Sequence, residues 1–293
     1  MINIALICND DYNLKLDDWH HYGFWKKTFD DITTIKLHWY NWNNFQEMPK
    51  GFDLYFFLDF RPILYKLATM DYHPRILWWG DSFHSPFSIL SQISLVFDKV
   101  YVSEMIDAYH LKGIGYKNIE WLPSGFYPKL YNPLNLNKNY DFAFVGQFDN
   151  LVTRNGATRK TMLDSLSKLF NGYVSNNVRG PAVNEAYNKS KILIERTIFC
   201  NIGSRLFETV GSGSFCLINR FPCNTGLDML GIDGIHFVTY DESIEDLLDK
   251  MRYYLKNDEE REHIAKTGHE HFLKNHTYEK RLLKILKDFN ISV

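Results

Sequence analysis

Residues 204–218, Ser204-Arg205-Leu206-Phe207-Glu208-Thr209-Val210-Gly211-Ser212-Gly213-Ser214-Phe215-Cys216-Leu217-Ile218, carry two periods in succession. Leu206 and Val210 share one helical face and Arg205 and Glu208 another, which predicts a short helix over 204–210. Small residues at 211–214 turn the chain, and 215–219 reads as a buried strand. Gly211 and Gly213 let another backbone or a ligand approach closely. A carboxylate and a guanidinium beside such a turn suit a nucleotide, the acid accepting ribose hydroxyls and the cation facing phosphate. The same spacing also describes a surface i,i+3 ion pair worth about 0.2–0.5 kcal/mol.

Outward from this stretch, strands keep alternating with helices. Apolar or alternating runs predict strands over 2–8, 33–40, 52–60, 75–79, 99–103 and 120–122, with helices near 20–29, 87–97 and 104–111. Residues 127–139, with Pro128 and Pro133 and no period, read as a linker. The pattern then restarts. Strands are expected over 140–145, 172–175, 191–195 and 235–240, and helices over 158–170, 183–190, 243–257, 258–268 and 278–289. Strands that are apolar throughout argue a parallel, doubly wound α/β sheet in each half. The predicted organisation is an N-terminal domain over 1–130, a second over 139–275 and a terminal helical segment over 276–293. The 293 residues suffice for two such cores.

A net charge of −2 gives no broad electrostatic reason to bind nucleic acid or membrane, although it leaves room for a local basic groove. Hydrophobic residues at 45% argue against disorder. Cys8, Cys200, Cys216 and Cys223 are scattered, as reduced thiols of a cytoplasmic protein would be. The opening run Met1–Cys8 lacks a basic leader and reads as a strand, and no run is long enough to span a bilayer.

In open parallel sheets, ligands collect beyond the carboxyl ends of the strands, and three such ends are chemically rich. Asp81 and His84 follow the strand 75–79, where an imidazole can act as a base near neutral pH. The plainer reading is a loop histidine bonded to Asp81. Gly146 with Arg154, Arg159 and Lys160 follows the strand 140–145 and has the bare backbone and helix start of a phosphate site. Arg159-Lys160 read equally well as a solvated helix start. Arg205, Glu208 and Gly211 form the third group. No G-x-G-x-x-G and no Gly-Lys-Ser/Thr is present, so dinucleotide and P-loop fingerprints are absent. A metal held by Asp81, His84 and His20-His21 has no spacing rule behind it, and no metal ligand is assigned.

The segments Trp78-Trp79-Gly80-Asp81-Ser82-Phe83-His84, Phe97-Asp98-Lys99-Val100-Tyr101-Val102-Ser103 and Trp121-Leu122-Pro123-Ser124-Gly125 resemble the first half of CgeB-like glycosyltransferases. Asp141-Phe142-Ala143-Phe144-Val145-Gly146 with Arg159, and Arg205-Leu206-Phe207-Glu208 followed by Gly211 and Gly213, are similar to their second half. So are Arg261, Ile264, Ala265 and Gly268, then His276-Thr277-Tyr278 and Arg281. The resemblance runs in order from about residue 74 to the end. It implies the glycosyltransferase-B fold, two Rossmann-like domains facing across a cleft with the terminal helix crossing back to the first. It implies a hexosyl- or pentosyltransferase using a nucleotide-sugar donor, expected to be a UDP-sugar, with no cofactor and no essential metal. Glu208 would bind the donor ribose, while Gly146, Arg159 and Arg205 would address the diphosphate. His84 or Asp81 would serve as the acceptor's base. Relatives of the wider fold carry a second glutamate eight residues before the ribose-binding one. Cys200 stands there, with Glu195 nearby but out of register. The acceptor is expected to be a saccharide, protein or small molecule. A modified DNA base, or no acceptor at all in a purely nucleotide-sugar-binding protein, are the alternatives.

Overall fold

Every strand pairing among the described residues is parallel. The structure, a computed structural model, describes residues 1–8, 21–59, 64–80, 87–148, 154–197, 201–221, 223, 225–241 and 243–293, without the side chains of 21, 64, 65, 87, 88, 90 and 154–157. The chain divides into two units, Met1–Ser124 with Tyr278–Val293, and Gly125–Thr277.

The first unit runs β1 (Ile2–Cys8), α1 (His21–Asp31), β2 (Ile35–Asn41), β3 (Leu54–Leu58), α2 (Leu64–Ala68), β4 (Arg75–Trp79), α3 (Phe87–Val96), β5 (Lys99–Val102), α4 (Met105–Gly113) and β6 (Ile119–Trp121). Its sheet has the order β2-β1-β3-β4-β5-β6. β3 and β4 are buried at every residue, as strands covered on both faces must be.

The second unit runs β7 (Tyr140–Val145), α5 (Arg154–Ser167), β8 (Gly172–Ser175), α6 (Pro181–Asn188), β9 (Ser190–Glu195), α7 (Ser204–Gly211), β10 (Phe215–Asn219), α8 (Leu227–Leu230), β11 (Val238–Tyr240), α9 (Ile244–Lys256) and α10 (Asp258–Asn275). Its sheet has the order β11-β10-β9-β7-β8. The chain therefore leaves β7 in one direction to β8 and returns on its other side to β9. This reversal opens a crevice beyond the carboxyl ends of β7 and β9, where ligands of such sheets bind.

The last helix, α11 (Tyr278–Asp288), belongs to the first unit. Tyr278 packs its ring 5.3 Å from Trp25 of α1, which in turn meets Trp78 of β4 at 5.5 Å. Buried Arg281 donates to the carbonyls of Pro123 and Ser124 at 2.9 and 3.2 Å. Lys284 reaches Glu120 at 2.6 Å, and the Tyr101 hydroxyl donates to Asp288 at 2.6 Å.

Three expectations differ from what is found. Residues 127–139, read as a linker, are fastened to the second unit. The Asn132 carbonyl accepts from Asn184 and Asn188 at 3.0 and 3.1 Å, and the Leu134 amide donates to Asn188 at 2.7 Å. Order of this kind comes from side-chain-to-backbone bonds and leaves no period in the sequence. Next, α10 continues past Gly268 to Asn275. Gly268 is there for closeness and not as a stop, since a Cβ would collide with the His236 carbonyl oxygen. Finally, Cys8 and Cys216 are buried thiols outside any disulfide, but Cys223 is disulfide-bonded, a pairing that scattered spacing does not reveal.

Candidate functional site

Gly146 follows β7 directly and Glu195 ends β9, so the crevice at the reversal has one residue with no side chain and one buried acid on its two walls. Gly146 has φ +150, and a Cβ there would strike the Arg205 guanidinium. That explains the glycine: the cation of α7 lies directly against the backbone of the loop after β7. Arg205 Nε and Nη2 donate to the two oxygens of Glu195 at 2.5 and 2.8 Å, a bidentate pair. Its Nη1 donates to the Val145 carbonyl at 3.3 Å, and the guanidinium sits 4.3 Å from the centre of the Phe144 ring. Burial alone would lower the Arg205 pKa, but Glu195 outweighs it and holds the group above its ordinary value.

Arg159 of α5 approaches the same ring, with Cζ 5.8 Å from its centre. Its Nε and Nη2 donate to the Arg196 carbonyl at 2.9 and 2.6 Å, and its Nη1 to the Gln147 carbonyl at 3.2 Å. Carbonyls orient a guanidinium without neutralising it. Burial first, and Arg205 second, lower its pKa to about 10, so it keeps its charge at neutral pH. Arg159 and Arg205 thus flank Phe144, and the net positive charge of the pair of sites resides on Arg159.

Glu208 lies one helical turn beyond Arg205 on α7. The two form no ion pair with each other, because Arg205 has turned to Glu195. Hydrogen bonds from Tyr131 and Ser204 and the charge of Arg205 favour the ionised carboxylate. Burial and the nearby Glu195 act against it more strongly, and the Glu208 pKa is pushed up to about 7. A half-buried carboxyl that ionises near neutrality is poised to accept hydroxyl hydrogen bonds once a ligand supplies them.

The remaining candidates fall elsewhere. Lys160 points to Asp164 at 3.2 Å on an exposed helix face, the solvated arrangement. Gly211 is buried against the Phe126 ring, where a Cβ would not fit, so its part is packing at the end of α7. Asp81, His84, His20 and Cys200 lie outside the described residues, as do the side chains of His21 and Arg154. No group of three His, Cys, Asp or Glu that could hold a metal ion is found among the described residues. Sequence reasoning passed over the functional geometry of Glu195, Arg196, Tyr131 and Phe144. The signal for Glu195 was a charged residue closing an otherwise apolar strand, Ser190-Lys191-Ile192-Leu193-Ile194-Glu195. No periodicity could have brought Tyr131 to Glu208, because the segment between β6 and β7 has none.

Known structures share this architecture. Sucrose-phosphate synthase (tll1590) from Thermosynechococcus elongatus superposes with a TM-score of 0.69 at 11% identity, over 99% of this chain and 98% of that one. Anabaena Alr3699/HepE, solved with UDP-glucose, gives a TM-score of 0.65 at 9% identity, over 99% and 100%. An alpha-glucosyltransferase in complex with UDP and a 13-mer DNA containing a HMU base gives 0.67 at 8% identity, over 99% of each. No curated protein matches by sequence. These likenesses establish two parallel-sheet α/β domains of glycosyltransferase-B type. No helix among the described residues is long and apolar enough to cross a membrane. The glycosyl transferase-like family matches over residues 113–287, more than half of the chain and all of the site just described, and the chain belongs to that family of enzymes.

Proposed function

We propose that the protein transfers a sugar from a UDP-sugar to a saccharide, protein or small-molecule acceptor, without an essential metal, and that it stands close to the CgeB-like glycosyltransferases. The observation that carries this reading is the convergence of Gly146, Arg159 and Arg205 on one crevice, with Glu208 one turn further along α7. The bare Gly146 backbone and the Arg159 guanidinium receive the diphosphate, whose charge grows as the sugar leaves. Fixed positive charge and N–H dipoles there lower the barrier as a divalent ion would. Arg205, already held by Glu195, is set in place before the donor arrives, so it costs no reorientation during the reaction. Glu208, turned towards Tyr131, accepts the ribose hydroxyls. Anabaena Alr3699/HepE was solved with UDP-glucose, which supports UDP as the first nucleotide to test.

A panel of UDP-, GDP-, ADP-, CMP- and dTDP-sugars in a thermal-shift assay tests the donor. At 100 times its dissociation constant a ligand stabilises by about 2.7 kcal/mol, so the UDP-sugar should raise the melting temperature and the others much less. Equal shifts throughout would defeat the assignment. Turnover should persist in EDTA, and loss of activity restored by Mg²⁺ or Mn²⁺ would contradict metal independence. Gly146→Ala should weaken UDP binding and cost on the order of 1 kcal/mol in stability, from its positive φ and the displaced guanidinium. A calorimetric dissociation constant equal to that of the parent would remove Gly146 from the site.

For the acceptor side we keep His84 as the base, oriented by Asp81. His84→Ala should lower turnover and leave nucleotide affinity unchanged, whereas normal turnover in that variant would assign it a structural role. The DNA-bound neighbour favours testing a duplex carrying a modified pyrimidine alongside oligosaccharides. The net charge of −2 places the saccharide first.

A further inference from the structure

The second unit has a cavity of about 390 Å³ at the amino ends of β9 and β10, the edge of the sheet opposite the crevice just described. Lys191 opens onto it from the second position of β9, the strand that Glu195 closes, so the two sites lie roughly 13 Å apart along one strand. Pro133, Phe215 and Ala265 supply apolar walls, and Lys138, Lys191 and Lys266 surround them. The ammonium groups of these three lysines make no hydrogen bond or ion pair among the described residues, although the charge of Lys191 acts on Asp258. By contrast the fourth cation, Arg261, is buried and fully engaged, with its Nη1 on Asp258 and on the Tyr254 carbonyl at 2.7 Å. The acids in the lining are Glu262, 3.7 Å from Arg261, and Glu270 beside His269. The lining thus carries four cations, Lys138, Lys191, Arg261 and Lys266, against the two acids Glu262 and Glu270 around an apolar floor, an excess of positive charge that favours an anion.

The geometry points to a second ligand site here, for a small organic phosphate monoester. The dianion suits a lining with this excess of cations better than a single carboxylate does, and the apolar floor takes the ester's carbon body. The volume admits one such molecule and falls within the usual range for ligand pockets. The Lys138 ammonium sits below its ordinary pKa, by partial burial first and by Arg261 second, although the residue as a whole is exposed. His269, which also lines the cavity, has Nδ1 2.8 Å from the Gly211 carbonyl at the end of α7, so the site abuts the helix that carries Arg205 and Glu208.

Phenyl phosphate is the probe. Titrated into the full chain and followed by calorimetry, it should bind saturably, and more tightly than either phenol or inorganic phosphate. Lys191→Glu with Lys266→Glu should weaken it about tenfold or more, equivalent to at least about 1.4 kcal/mol. Glu208→Ala should leave it unchanged. Should the charge-reversed chain fail to fold, Lys138→Ala with Lys266→Ala is expected to show the same direction of change. Absence of saturable binding overturns the proposal, and so does binding indifferent to the lysines. Loss of binding in Glu208→Ala overturns it too, because the phosphate would then occupy the crevice at the carboxyl ends of the strands.

Discussion

Arg205→Ala is expected to destabilise the second unit by about 3–5 kcal/mol, because it strands a carboxylate that folding has already removed from water. Glu195 is 1% exposed and takes two hydrogen bonds from Arg205, at 2.5 and 2.8 Å. With the guanidinium gone, nothing else described offers that acid a charged donor, and its desolvation stands uncompensated. Replacing both partners with leucine should recover most of the stability, since a buried ion pair and a packed apolar pair are close in free energy. The double variant should nevertheless fail to bind a nucleoside diphosphate. Two units can unfold separately, so amide hydrogen exchange in β7 and β9 is the proper readout rather than one denaturation midpoint. Equal protection in the single variant and the parent would mean that the pair contributes nothing to the fold.

That ion pair also marks where sequence reading stops. The parallel sheets were legible because β3, β4 and β10 are apolar at nearly every position, a pattern that only coverage on both faces explains. Gly146 and Glu208 stood out as unusual residues at a strand end and beside a glycine turn. What stayed hidden was the partner of Arg205. Helical spacing offered Glu208, three residues on, and the structure chose Glu195, ten residues back on another element. A contact between a strand end and a neighbouring helix depends on how two elements dock, and no local period encodes docking. Lys160 shows the same limit from the other side. It and Arg159 are sequence neighbours, yet adjacent helical positions point about 100° apart. One faces the Phe144 ring and the other the Asp164 carboxylate in solvent.

Glu208→Ala is expected to weaken UDP-sugar binding by about 1.5–3 kcal/mol, the range for hydrogen bonds to a charged group. The pH dependence separates this role from a structural one. In the free protein the Glu208 pKa is raised from 4.5 to about 7, so below that pH the carboxyl is largely protonated. Ribose hydroxyls donate to the ionised form, and binding must therefore pull the pKa down and release a proton. The sign follows. Donor affinity should rise with pH through about 7 and then level off, while the protein's own stability moves the other way. The folded state holds a proton that the unfolded chain releases between pH 4.5 and about 7, so this group's contribution to stability is full below 4.5 and is lost as pH climbs through 7. A sugar nucleotide is the right ligand for the measurement. Each of its phosphates carries one ester and the shared anhydride link and so lacks the second ionisation near 6 of a terminal phosphate, and the protein's own titration is not masked. Calorimetry of UDP-glucose near pH 6.5 in two buffers of different ionisation enthalpy counts the proton directly. The parent should release it, and Glu208→Gln, which cannot ionise, should bind weakly and with no pH dependence in this window. Parent-like affinity in Glu208→Ala, or an unaltered pH profile in Glu208→Gln, would take the ribose away from α7 and leave Glu208 as a half-buried acid tied to Tyr131 and Ser204.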